Sequence, residues 1–122
     1  MFYRVLDVND MFNHKDNDHE IIEIMSYNNA QLKLVFVKKD SGFDFHMFNT
    51  NVCIYLTEGE IELSFPKEIT CGCNICGVSK PEHHDNKNNE YKIKKGQMFL
   101  FEKDVRHSLK ALKDSKFILV KI

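Results

Sequence analysis

The densest set of chemically capable side chains lies in C-G-C-N-I-C-G, where Cys71, Cys73 and Cys76 precede His83 and His84. Thiolate sulfur and imidazole nitrogen are the ligands of tetrahedral zinc, so three sulfurs and either histidine could complete a structural site. Gly72 and Gly77 would relax the backbone around such a knot, and bound zinc would offset the entropy of ordering a long polar loop. One crowded triplet is a looser pattern than two separated C-x2-C pairs. It also suits reduced, unliganded thiols on a loop, or a redox- or metal-sensing cluster. Cys53 stands apart in an apolar run, so the four cysteines do not form a disulfide framework. Thiols kept reduced predict a cytoplasmic protein.

Other groups offer less. In F-D-F-H-M-F, alternation sets Phe43, Phe45 and Met47 on one face and Asp44, His46 and Phe48 on the other, which makes His46 and Phe48 neighbours. His107 follows the turn Glu102 to Arg106. Ser108 adjoins it, but opposite parity on a strand separates the two side chains, so they make no nucleophile–base couple. The glycines are isolated and none opens a helix, which removes a phosphate-binding loop. Glu102, Lys103, Asp104 and Arg106 read as turn and rim residues, with Arg106 able to meet an anion at a barrel mouth or to remain solvated.

The elements that would position these residues are short strands. Tyr3 to Val8, Ile21 to Ser26, Gln31 to Lys38, Phe43 to Phe48, Val52 to Leu56, Glu60 to Phe65, Tyr91 to Ile93, Met98 to Phe101, His107 to Leu112 and Phe117 to Ile122 are rich in β-branched and aromatic residues or alternate with period two. Asn13 to Glu20 is polar and reads as a loop. Glu58-Gly59 forms a tight hairpin turn, after which Ile61, Leu63 and Phe65 point inward while Glu60, Glu62 and Ser64 face water. Pro66 ends that strand, and residues 67–90 form a polar, Asn-rich insertion carrying the cysteines. No long amphipathic helix or internal repeat interrupts the series. Short strands without helical connectors predict an all-β barrel or double-sheet jelly roll, because closure removes exposed sheet edges.

Over roughly Leu32 to Ile122 the chain resembles the cupin superfamily, and specifically its small single-domain members. Gly59 matches the closing glycine of the first cupin motif, which registers Val52 at the glutamate position, Phe48 at the second histidine and His46 at the first. In G-Q-M-F-L-F-E-K-D-V-R-H, Gly96 and His107 keep the second motif's separation, while Glu102 replaces its proline and Asp104 its second glycine. The resemblance implies a double-stranded β-helix over residues 1–122 with one insertion. It also implies a central pocket at His46, Phe48, Val52, Ile54 and His107, with Leu56 facing the same interior.

Cupin metalloenzymes usually bind through three histidines and a glutamate, of which His46 and His107 remain here. Three uses of that pair follow: ligands of a divalent transition metal, with Asp44 as the nearest carboxylate; polar anchors of a metal-free pocket; or groups that satisfy internal hydrogen bonds. The functions implied are a small-molecule-binding cupin, a metal-dependent oxygenase or isomerase, and a regulatory or interaction module with a zinc-binding loop. Small cupins commonly dimerise through their sheets, so Phe2 to Leu6 is expected to cover a partner's edge strand.

Composition narrows the partners. With 122 residues, 43% hydrophobic content and ten Phe, one domain can bury a core without disulfides. Basic and acidic side chains balance at 17 to 18 and are dispersed, which argues against nucleic acid and anionic membranes. Charge interrupts the N-terminus before a signal segment can form, and no apolar run is long enough for a membrane span.

Overall fold

The computed structural model of the chain describes residues 5–8, 17–66 and 89–122. Among these residues are nine strands: β1 (His19–Tyr27), β2 (Ala30–Val37), β3 (Gly42–His46), β4 (Val52–Glu58), β5 (Glu60–Phe65), β6 (Asn89–Lys94), β7 (Met98–Phe101), β8 (His107–Ala111) and β9 (Ser115–Lys121). They form two antiparallel sheets, one in the order β1-β2-β9-β4-β7 and the other in the order β3-β8-β5-β6. No helix among the described residues is long and apolar enough to cross a membrane.

The inner faces follow from alternation. Val35, Val37, Val52, Ile54, Leu56, Phe117 and Leu119 of the first sheet meet Ile61, Leu63, Ile93, Leu109 and Ala111 of the second in one core. Apolar burial of this kind stabilises by about 25 cal/mol per Å², so this interior is the main force holding the sheets together. The β4–β5 hairpin turns at Gly59, whose φ of 90° lies in the left-handed region. A Cβ there would collide with the Asp114 carbonyl and the Ser115 hydroxyl. Ser115 is fully buried, and its hydroxyl accepts from the Glu60 amide at 3.0 Å while lying 2.7 Å from the Lys113 carbonyl and 3.1 Å from that of Glu60.

Several elements differ from the sequence reading. The described part of the expected first strand, Val5 to Val8, pairs with no strand, and Val5 is 97% exposed. His19 and Glu20, expected in a loop, belong to β1 because they pair with Val37 and Phe36. The expected alternation along Phe43 to Phe48 is also broken. Phe43 pairs with Leu109 and His46 with His107, so three steps on β3 match two on β8. That extra residue is a β-bulge, and it returns Phe43 to the same face as His46.

A histidine pair in an apolar cavity

His46 closes β3 and His107 opens β8, and the two residues are direct cross-strand partners. Their ring centroids lie 4.3 Å apart with the planes inclined by 59°. Both rings are held by the same local device. His46 Nδ1 donates to the Asp44 carbonyl at 2.7 Å, and His107 Nδ1 donates to the Val105 carbonyl at 2.9 Å. A carbonyl oxygen only accepts, so each Nδ1 carries a hydrogen and, in the neutral ring, Nε2 presents a lone pair. Neither Nε2 has a hydrogen-bond partner among the described residues.

The turn before β8 is pinned where this pairing needs it. The Asp104 amide donates to the Phe48 carbonyl at 2.8 Å, and the Lys103 amide donates to Asn51 Oδ1 at 3.1 Å. These two bonds tie the Glu102 to Arg106 turn to the turn after β3, which brings Phe48 beside both imidazoles. The Phe48 ring lies 5.0 Å from His46 and 5.3 Å from His107, while Phe101 stands 4.6 Å from His107 on another side. His107 is buried, and that burial holds its pKa below the ordinary histidine value. The Val105 carbonyl opposes this by favouring the charged ring, and repulsion from His46 adds to the lowering.

The pair borders a cavity of about 490 Å³ whose other walls include Ile21, Val35, Phe43, Ile54, Phe117 and Leu119. Small-molecule sites typically occupy roughly 300–1,000 Å³ and combine apolar walls with a few convergent polar groups. Of the residues expected from sequence, His46, Phe48, Ile54 and His107 line this space. Val52 and Leu56 are buried in the core instead and do not line it. Asp44 borders the cavity, but its carbonyl, not its carboxylate, bonds His46. Arg106 stands on the outer side of β8, with its guanidinium 5.3 Å from the centre of the Phe45 ring. Cys71, Cys73, Cys76, His83, His84 and Phe2 lie outside the described residues.

Several solved structures share this architecture. A cupin superfamily protein of Desulfitobacterium hafniense superposes with a TM-score of 0.73 over 100% of this chain and 93% of its own, at 8% identity. The chain has the cupin fold. A cupin-2 domain protein of Shewanella frigidimarina gives a TM-score of 0.62 at 21% identity, covering 95% of this chain and 92% of that one. A conserved Streptococcus pyogenes protein of unknown function gives 0.72 at 13% identity, covering 100% and 89%. No protein-family model and no curated protein matches the sequence.

A cupin metal centre of three histidines and one glutamate does not fit the residues present. The positions registered for its second histidine and its glutamate hold Phe48 and Val52, neither of which has a ligating atom. Among the described residues, no three His, Cys, Asp or Glu side chains converge where they could hold an ion. The cavity walls Val35, Phe43, Phe117 and Leu119 were not expected from sequence. Phe43 was hidden by the bulge, whereas the inward parity of Val35 in L-K-L-V-F-V was available as a signal.

Proposed function

We propose that this cupin-fold protein binds a compact small molecule in the cavity beside His46 and His107, with the imidazoles as polar anchors and the apolar walls as the source of affinity. The observation that carries this reading is the convergence of two imidazoles, each with Nε2 unbonded within the described residues, on an otherwise apolar space. A neutral imidazole pair accepts hydrogen bonds there, and a protonated ring donates one. In a cavity with few other polar groups, a ligand that leaves these nitrogens unmatched loses affinity. The histidines therefore select among ligands that the apolar walls alone would admit.

Affinity and metal content measured on the same full-length protein test this. Ligands found in a fragment screen should lose about tenfold in affinity in His46→Ala/His107→Ala, as expected for buried hydrogen bonds. Elemental analysis should show no transition metal that disappears with those two substitutions. Unchanged affinity would remove the histidines from the site. One equivalent of metal lost with them would replace this reading by a metal-dependent enzyme of the cupin type.

A further inference from the structure

Two lysines lie on the cavity-facing side of the first sheet. Lys33 pairs directly with Leu119, a cavity wall, and lies two residues before Val35, another wall. Lys121 lies two residues beyond Leu119, and both lysines are half-buried. Period-two geometry puts their side chains on the inner face, diagonal to each other across the β2–β9 pairing. The Lys121 ammonium sits 4.0 Å from the centre of the Phe48 ring, which also lines the cavity and packs on His46. That contact holds the Lys121 ammonium over a ring that lines the space.

Among the described residues neither lysine takes part in an ion pair. Glu23 stands opposite Lys33 in register, but its carboxylate accepts from Gln31 at 3.4 Å. Burial, followed by repulsion from Lys33, lowers the pKa of Lys121 from its ordinary value. Arg106 and Lys110 add no further positive charge on this side, since both line the groove on the outer side of β3 and β8. Lys121, held over the cavity-lining Phe48 ring, and Lys33, close enough to repel it, together form a site for an anionic head group beside the apolar cavity.

We infer that the ligand is an amphipathic organic anion whose apolar body occupies the cavity and whose carboxylate-like head lies between Lys33 and Lys121. This rests on the reading of the cavity as a ligand site and adds the ligand's charge and orientation. Phenylacetate, its neutral amide phenylacetamide and the cation phenethylamine are suitable probes, because they share an aromatic body and differ in the head.

Calorimetric titration of the full chain should rank phenylacetate first, with affinity falling as salt is raised. Lys33→Met and Lys121→Met keep much of the apolar stem and remove the charge. Each should weaken phenylacetate by about tenfold and leave phenylacetamide unchanged. The variants should melt at the same temperature as the parent or higher, since removing one ammonium relieves repulsion; a structural lysine would instead lower the melting temperature when lost. Equal binding of the acid and the amide, or phenylacetate binding insensitive to both substitutions, would overturn this inference while leaving the cavity as a ligand site. Failure of all three probes to bind would overturn both.

Discussion

At the level of single residues, His107 joins the fold's stability to the site's chemistry. Its ring packs on Phe101, Phe48 and His46 and is buried, and that burial holds its folded-state pKa below the ordinary histidine value. In the pH interval between the folded and unfolded values, the unfolded chain holds the extra proton. The stability contributed is complete above about pH 6.5 and is lost as the pH falls through the lower folded value. Thermal melts across pH 5 to 8 should therefore show the melting temperature dropping on the acid side. His107→Phe, which keeps an aromatic ring among the same neighbours, should flatten that slope; an unchanged slope would assign it to other groups. His46 and His107 were legible in the sequence through motif spacing. The lysines were not singled out, although a lysine at inward parity in L-K-L-V-F-V and in F-I-L-V-K-I was a usable signal.

Individual elements account for both the agreement and the errors between sequence and structure. β5 and β7 fall where alternation and turn residues put them, because each lies between clear stops such as Gly59, Pro66 and Gly96. The β3 bulge could not be read, since a single inserted residue leaves the hydrophobic pattern plausible in either parity and only the partner strand reveals the shift. Val5 to Val8, the described part of the expected Tyr3 to Val8 strand, is not a strand for the complementary reason: propensity is present, but no strand among the described residues pairs with it. The β4–β5 turn makes a sharp prediction. Gly59→Ala places a methyl group against the Asp114 carbonyl and the buried Ser115 hydroxyl at a positive φ. It should destabilise the protein by roughly 2–4 kcal/mol in urea unfolding, with m unchanged. A loss below about 0.5 kcal/mol, the range of an ordinary surface change, would show that the hairpin can relax without cost.

For the molecule as a whole, the two sheets create an interior filled by Leu56, Ile61, Leu63 and Ala111 in one region and open beside His46 and His107 in another. Alternation made the filled region visible in the sequence. The open region depends on how far β1 and β3 extend over the core and on the docking of the Glu102 to Arg106 turn, long-range facts that local pattern does not encode. On the proposed reading, the walls and anchors come mostly from strands that the fold itself requires.

The most direct test of that account is NMR of the full-length protein titrated with phenylacetate and phenylacetamide, following the ring signals of His46 and His107 and the methyl signals of Ile54, Val35 and Leu119. A ligand seated in this cavity produces saturable shifts in these signals together, with one shared dissociation constant for each probe that binds. No saturable change with either probe, or changes confined to the outer groove around Ser108 and Lys110, would contradict it.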